Sequence, residues 1–381
     1  MTSRYAAALS VHPVAFEAVG AVAGEILDQL EGERPDLVVC FVSRHHVPAF
    51  ADIASGLRAI LEPDVLVGAT AVAVAGGARE IEDEPGITVW AANWGGGRAS
   101  GFSLDVRREG DAVRVEGWPG DLEAGSTVLF LADPFTFPVV ELLDQCNELL
   151  PGVHVIGGLA SAGAMPGGNR LVLDDRVVPG GAVGVVLSPA IGVRTIVSQG
   201  CRPVGSPFTV TKAEGNVVHE LGGQRAIARL EELVARADDR DRELLAQGLH
   251  VGVVVDEHKT EFERGDFLVR AVLAADQRSG ALTIGDDVGV GQVLQFHVRD
   301  SDSATDDLVA ALGSRCAGAG LLFTCTGRGR RMFGSPDHDT GVVEEQLGPM
   351  ALAGAFCAGE IGPVGGRNFL HSFTASLALF D

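Results

Sequence analysis

One segment of the chain recurs three times, and this repeat constrains the fold more than any other feature of the sequence. Each copy has a short apolar strand pattern, a loop, an amphipathic helical pattern and a second apolar strand pattern. The first strand patterns lie at residues 37–43, 127–132 and 320–325. From a phenylalanine in the first strand to a glycine in the second, the spacing is 27, 27 and 31 residues, at Phe41 to Gly68, Phe130 to Gly157 and Phe323 to Gly354.

The repeat predicts how strands and helices are arranged. Strand–helix–strand units with short connections pair their strands in parallel and lay the helix on the sheet. A further strand pattern follows each copy, at residues 86–91, 181–187 and 370–380, and should add an antiparallel strand to each sheet. We therefore predict an α+β fold of layered, mixed sheets.

The length and the distribution of proline and glycine predict two domains. A chain of 381 residues exceeds the usual size of one domain, about 150 residues. Pro and Gly residues crowd together between positions 188 and 207, which is typical of a boundary. We expect an N-terminal domain over residues 1–200 and a C-terminal domain over residues 201–381.

Composition and charge exclude several classes of partner. The chain carries 51 acidic against 29 basic residues, a formal net charge of −22, and so repels phosphate backbones and anionic bilayers. Neither nucleic acid nor a membrane is an expected partner. The six cysteines are scattered, mostly in apolar runs and without a C-x-x-C pair, which is typical of reduced thiols in the cytoplasm. The start of the chain lacks an export signal, so a cytoplasmic location is expected.

The most informative motif follows the first strand of the third copy. Cys325 ends that strand, and the loop Gly327-Arg328-Gly329 comes directly after it. Glycines let backbone N–H groups face a ligand, and Arg328 offers a forked donor for a carboxylate or phosphate. A tight turn with solvated arginines is the alternative interpretation. The glycine spacing departs from G-x-G-x-x-G and the chain has no Gly-Lys pair, so no nucleotide cofactor is expected.

A second part of the candidate site follows the second strand of the same copy. Glu360 comes after an apolar strand and a glycine, an unusual place for an unpaired carboxylate. If it faces Arg328, the pair matches the carboxylate and ammonium groups of an amino-acid-like molecule. Asn368 and His371 are candidates for further hydrogen bonds, and Arg367 completes the candidate site. A structural ion pair between Glu360 and Arg367 is the alternative.

Cys325 has two interpretations. As a nucleophile it would lie beside arginines that favour the thiolate, whereas as a structural residue it packs at the end of a buried strand or lines the ligand. No partner base is assignable from the sequence, which favours binding over catalysis. The pair His45-His46 and the segment Asp337-His338-Asp339 lack a third ligand at recognisable spacing, so no metal is expected and we interpret both as solvated loops.

These motifs resemble the FIST family, named for F-box and intracellular signal transduction proteins. The N-terminal part of the chain is similar to the first domain of that family, and the C-terminal part is similar to the second. The similar segments are residues 65–70, 80–82, 133–137 and 155–162 for the first domain, and residues 210–216, 267–270, 325–329 and 354–363 for the second.

The resemblance implies a sensory module that binds small ligands, with amino acids or their derivatives as the proposed ligand class and with no established catalytic activity. The two domains fill residues 4–381, so the signal is expected to pass to a separate signalling protein. A stand-alone ligand-binding protein is the leading hypothesis. Its rivals are a cysteine-dependent enzyme acting on a small acyl or amide substrate, and an interaction scaffold. The sequence leaves open whether the chain assembles with copies of itself.

Overall fold

The computed structural model describes residues 3–95, 99–109, 112–120, 122–255, 259, 262 and 265–381. The chain forms two compact units, which we call unit 1 and unit 2. Unit 1 comprises Met1–Val197 together with Leu308–Asp381, and unit 2 comprises Ser198–Asp307. Mixed and antiparallel sheets with packed helices confirm the α+β fold class. The division of the sequence after residue 200 stays a prediction, since in space residues 308–381 belong to the same unit as the N-terminal part.

The helices and strands follow one another closely along the chain. The helices are α1 (Ala15–Gln29), α2 (Phe50–Leu61), α3 (Val139–Leu149), α4 (Ala226–Arg236), α5 (Asp239–Gln247), α6 (Ser301–Leu312), α7 (Arg330–Phe333) and α8 (His338–Leu347), with short 3-10 helices at Arg44–Ala49 and Pro189–Ile191. The strands are β1 (Arg4–Ser10), β2 (Leu37–Ser43), β3 (Val65–Ala71), β4 (Val74–Gly76), β5 (Arg79–Ile81), β6 (Ile87–Asn93), β7 (Ala99–Glu109), β8 (Ala112–Glu116), β9 (Thr127–Ala132), β10 (His154–Leu159), β11 (Leu171–Leu173), β12 (Arg176–Val178), β13 (Ala182–Leu187), β14 (Val193–Gln199), β15 (Cys201–Glu214), β16 (Val217–Leu221), β17 (Gln224–Arg225), β18 (His250–Val254), β19 (Phe267–Asp276), β20 (Ala281–Ile284), β21 (Val293–Arg299), β22 (Ala319–Cys325), β23 (Ala351–Cys357), β24 (Glu360–Val364), β25 (Arg367–His371) and β26 (Thr374–Phe380).

The threefold repeat of the sequence is confirmed in unit 1. The first copy runs from β2 to β6, the second from β9 to β13 and the third from β22 to β26. In each copy two strands pair in parallel, β2 with β3, β9 with β10 and β22 with β23. The predicted antiparallel strands are β6, β13 and β26. The last was expected over residues 370–380 but begins at Thr374, because the chain bends at Phe373, whose φ is 65°.

In each copy, a β-hairpin pairs with a strand in the sheet of another copy. Hairpin β4–β5 of the first copy pairs with β23 of the third, β11–β12 of the second pairs with β3 of the first, and β24–β25 of the third pairs with β10 of the second. The exchange is cyclic, so every sheet of unit 1 is completed by a segment from a different copy. The resulting strand orders are β1-β6-β2-β3-β11-β12, β25-β24-β10-β9-β13-β7-β8 and β14-β26-β22-β23-β4-β5.

All three sheets contribute to one central apolar core. Phe41, Leu129 and Phe323 come from the three sheets and belong to the same buried cluster, and the rings of Phe41 and Phe323 meet edge to face at 5.8 Å. The opposite faces of the sheets are covered by helices, α1 and α2 on the first, α3 on the second, and α6 and α8 on the third. Strands buried on both faces read as continuous apolar runs, which explains the pattern of residues 37–43.

Unit 2 is inserted ahead of the third copy. Ahead of the first copy, α1 connects the edge strand β1 to β2. Ahead of the third copy, the strand in the matching edge position is β14, and most of unit 2 comes between it and β22. Unit 2 contains a seven-stranded antiparallel sheet in the order β15-β21-β18-β19-β20-β16-β17, with α4 and α5. The apolar core of this unit includes Val251, Ile284 and Phe296.

The glycine that defines the repeat lies where two strands approach closely. A Cβ at Gly354 would lie less than 3.0 Å from the carbonyl oxygen of Leu322, and the matching glycines of the other copies are equally crowded by backbone. We expect Gly354→Ala to lower the free energy of unfolding by about 1–3 kcal/mol in urea denaturation, the usual cost of overpacking.

The control is Gly20→Ala in α1, where a Cβ would meet nothing within 4 Å. This change should raise the free energy of unfolding by about 0.5–1 kcal/mol, since alanine is the better helix former. Equal effects of the two changes would show that the close approach does not select glycine at position 354.

Candidate functional site

The loop after β22 carries a fully buried arginine. The guanidinium of Arg328 pairs with Asp339 in two places, Nε with Oδ2 at 2.8 Å and Nη2 with Oδ1 at 2.7 Å. The side chain of Arg328 is 0% exposed and that of Asp339 is 1% exposed, so the interpretation of Arg328 as a solvated residue of a tight turn is wrong. The Thr324 hydroxyl also donates to Oδ2 of Asp339, at 2.6 Å. Gly329, with a φ of 71°, allows the backbone to turn from this loop into α7.

Aromatic and charged neighbours hold this ion pair in place. Arg328 lies over the ring of Phe333 at 5.1 Å, and that ring stacks on His338. Burial alone would raise the pKa of Asp339, but the Arg328 guanidinium and the hydrogen bond from His338 outweigh it and hold that pKa well below its usual range. The interpretation of residues 337–339 as a solvated loop is therefore wrong for Asp339, because the first turn of α8 packs this carboxylate against Arg328.

A carboxylate from the first copy completes this side of the cluster. Hairpin β4–β5 brings Glu80 to the start of α8, where Oε1 accepts the N–H groups of Asp339 at 2.9 Å and Thr340 at 3.1 Å. Burial, followed by the charge of Asp339, raises the pKa of Glu80 to about 8. Sequence reasoning did not select Glu80 or Asp339 for the site. The only available signal for Glu80 was its position in the family-like segment 80–82.

Glu360 joins the same cluster from the start of β24. Its Oε2 accepts hydrogen bonds from the backbone N–H of Thr374 at 3.1 Å and from the Thr374 hydroxyl at 2.9 Å. Burial raises the pKa of Glu360 to about 8, although Thr374, the charge of Arg328 and the thiol of Cys325 act in the opposite direction. Cys325 and Arg328 are thus near enough to Glu360 to act on its pKa, and the role of the three residues in binding stays a prediction.

The remaining candidate residues lie elsewhere on hairpin β24–β25. Arg367 is exposed and lies at the turn of the hairpin, where its register partner is Val364. Glu360 lies at the open end of the hairpin, where its register partner is His371. Four residues of strand separate Glu360 from this turn, about 13 Å at 3.3 Å per residue, so the alternative ion pair between Glu360 and Arg367 is wrong. The His371 ring lies 2.9 Å from the carbonyl oxygen of Gly362, within the hairpin.

Asn368 anchors the hairpin to the second sheet. Its Oδ1 accepts from the backbone N–H of Val155 at 2.8 Å, and its Nδ2 donates to the carbonyl oxygen of Val153 at 2.9 Å. Its backbone N–H and carbonyl both bond to the side chain of Asn147. These contacts give Asn368 a structural role in the hairpin exchange.

Two further kinds of feature are absent from the described residues, a metal-binding cluster and a membrane-spanning helix. Within them, no group of three or more His, Cys, Asp or Glu side chains is arranged to hold a metal ion. No helix formed by these residues is long and apolar enough to cross a bilayer.

Comparison with known proteins places the chain in a family. The model of the FIST N domain matches residues 36–224, and the model of the FIST C domain matches residues 226–363. The chain therefore belongs to the FIST family, as its motifs indicated. FIST domains are generally sensory domains linked to signal transduction.

The chain is also similar to several mycobacterial proteins along nearly its whole length. Uncharacterized proteins of Mycobacterium bovis and Mycobacterium tuberculosis are each 46% identical to it over 375 residues, which is 97% of this chain and 96% of theirs. A second uncharacterized protein of Mycobacterium tuberculosis is 43% identical over 383 residues, 99% of both chains.

Proposed function

We propose that this protein is a cytoplasmic sensor that binds a small molecule, an amino acid or a related small carboxylate, at the cluster of Arg328, Glu360 and Cys325. One observation carries the proposal: Nη1 of Arg328 is buried and has no hydrogen-bond partner among the described residues. An unsatisfied buried donor costs about 1–3 kcal/mol, and more on a charged group. Such an atom in a native protein calls for a partner, and a ligand carboxylate is one.

Glu360 supplies the opposite half of the recognition. Within the described part of the chain its Oε1 is also buried without a hydrogen-bond partner. Arg328 and Glu360 are close enough that the charge of each shifts the pKa of the other. A guanidinium with an unused donor beside a carboxyl group with an unused acceptor matches a molecule that carries both a carboxylate and an ammonium group.

The proposal includes a separate protein that receives the signal. The sensory role of FIST domains supports ligand reception by this chain. The formal charge of −22 makes nucleic acid and anionic membranes poor partners for it.

Thermal denaturation with a panel of ligands tests the proposal. The panel contains amino acids, carboxylic acids that lack the amine, and amines that lack the carboxylate. We expect the matching amino acid to raise the melting temperature, since a ligand at 100 times its Kd adds about 2.7 kcal/mol of stability. In Glu360→Gln the shift in melting temperature should disappear, because the amide carries no charge for the ammonium group. The amide oxygen can still accept the hydrogen bonds of Thr374.

The control is Arg270→Gln, which breaks an arginine–aspartate pair in unit 2. Arg270 is 9% exposed and its Nε lies 2.7 Å from Oδ2 of Asp286 in unit 2. This variant should keep the ligand-induced shift. The proposal fails if no compound stabilises the wild type, or if Glu360→Gln and Arg270→Gln retain the same shift.

A cysteine-dependent enzyme is the second candidate, because the Cys325 thiol contacts the Glu360 carboxyl group. This contact provides a base that sequence reasoning did not assign to Cys325. Turnover of a small amide or ester that is lost in Cys325→Ser would favour this function over ligand sensing.

A further inference from the structure

The third copy places two cysteines side by side. Cys325 is the last residue of β22 and Cys357 the last residue of β23, and the register of the parallel pair sets them directly opposite each other. Neighbouring strands lie about 4.7–4.9 Å apart, which is within the Cα separation of 4.4–6.8 Å found in disulfides. Paired residues of neighbouring strands project from the same face, so the two thiols lie on one side of the sheet.

We propose that Cys325 and Cys357 form a redox-active dithiol, which hydrogen peroxide converts into an intramolecular disulfide. This modification site does not depend on the ligand proposed above. The two thiols are electrostatically coupled to each other, and both interact with Glu360.

The surroundings of the two sulfur atoms assign them different roles. Sγ of Cys325 accepts the backbone N–H of Gly327 at 3.4 Å and lies in the field of the Arg328 guanidinium, and both stabilise negative charge on sulfur. Cys325 is also 8% exposed, against 3% for Cys357. Burial, followed by the charge of Glu360, raises the pKa of Cys357 well above its usual range. Cys325 is therefore the thiol that meets the oxidant, and Cys357 resolves the intermediate.

The two steps balance without a further reagent. The Cys325 thiol loses its proton to the solvent, and the thiolate attacks one oxygen of the peroxide. An S–O bond forms, the O–O bond breaks, and the departing hydroxide recovers the proton to become water. The sulfur of Cys357 then attacks the sulfenic sulfur, so that an S–S bond forms, the S–O bond breaks and the Cys357 proton leaves with the hydroxide as a second water. Two electrons pass from the thiols to the peroxide.

The remaining cysteines provide internal references. Cys40 is buried in the matching strand of the first copy, where its register partner in β3 is Gly68 rather than a cysteine. Cys316 is exposed. Reaction at Cys316 measures general oxidation by the reagent, and reaction at Cys40 measures unfolding.

The test treats the full chain with hydrogen peroxide at neutral pH, alkylates the remaining thiols after denaturation, and identifies the digested peptides by mass spectrometry. We expect a peptide cross-linked between Cys325 and Cys357. In Cys316→Ser, two of the five remaining thiols should no longer be alkylated, and both should be recovered after treatment with a dithiol reductant. In Cys357→Ser the cross-link should be absent, and Cys325 should be trapped as the sulfenic acid by a dione reagent. Alkylation of both Cys325 and Cys357 at peroxide doses that oxidise Cys316 would overturn the proposal.

A second measurement avoids oxidation altogether. Phenylarsine oxide bridges two neighbouring thiols, so the native protein should bind one equivalent, as should Cys316→Ser. The binding should be lost in both Cys325→Ser and Cys357→Ser. Retention of binding in either single variant, or no binding by the wild type, would show that the thiols are not a functional pair.

Discussion

Replacing Arg328 with methionine is expected to lower the free energy of unfolding by about 3–5 kcal/mol, the cost of removing one partner from a buried ion pair. Asp339 would keep the Thr324 hydroxyl but would remain as a charge in a site where its side chain is 1% exposed. Urea denaturation at neutral pH measures the loss. The methylene and thioether chain of methionine fills much of the volume of arginine, so the effect reports on charge more than on a cavity.

The double variant Arg328→Met with Asp339→Leu separates charge from packing. Replacing a whole buried ion pair by apolar residues is often neutral or stabilising, so the double variant should recover much of the stability that Arg328→Met loses. As a surface control, Arg58→Met removes the ion pairs to Asp174 and Asp175 and should cost about 0–1 kcal/mol. If Arg328→Met lowers the free energy of unfolding by less than Arg58→Met does, Asp339 has found another hydrogen-bond partner or has taken up a proton.

The repeat was readable from the sequence because each of its signals is local. A strand such as β2 is buried on both faces and is therefore apolar at nearly every position. The glycine at the fixed spacing is required by the approach of the neighbouring backbone, as at Gly354 beside Leu322. These local requirements recur in all three copies and hence appear as a period.

The hairpin exchange could not be predicted from the sequence, because tertiary contacts decide which sheet each hairpin pairs with. β4 and β5 are three residues each, and nothing in Val74–Gly76 distinguishes pairing within its own copy from pairing with β23. The same limit applies to the insertion of unit 2. Proline and glycine mark where the chain leaves unit 1, but the return at residue 308 occurs inside helix α6, which carries no such signal.

The candidate site was predictable where its residues share one copy, and unpredictable where they do not. Cys325, Arg328 and Glu360 follow neighbouring strands of the third copy, so the ends of those strands bring them together. Glu80 lies on the exchanged hairpin and precedes its partner Asp339 by 259 residues in the sequence. Asp339 lies in a polar segment that resembles a solvated loop, and only its pairing with Arg328 explains why it is buried.

The second large effect expected is on the pH dependence of stability. Burial raises the pKa of Glu80 and of Glu360 from 4.5 to about 8 in the folded protein. Between these values the unfolded chain has lost protons that the folded protein keeps, so the free energy of unfolding falls as the pH rises. Their stabilising contribution is complete below pH 4.5 and is lost by about pH 8.

Glu360→Gln isolates one of these two groups. The variant lacks the proton exchange at position 360, so its stability relative to the wild type should increase steadily from pH 5 to pH 8, as measured by urea denaturation across that range. Glu345→Gln removes the same formal charge from an exposed position of α8 and should follow the wild-type profile. Asp339 acts at acidic pH. Its pKa is depressed in the folded protein, so its contribution to stability is present at neutral pH and is lost as the pH falls below the pKa of the unfolded state.

Parallel profiles for Glu360→Gln and the wild type between pH 5 and 8 would show that Glu360 is ionised in the folded protein at neutral pH. An ammonium group would then meet a carboxylate that is already charged, and ligand binding would show no uptake or release of protons at this residue.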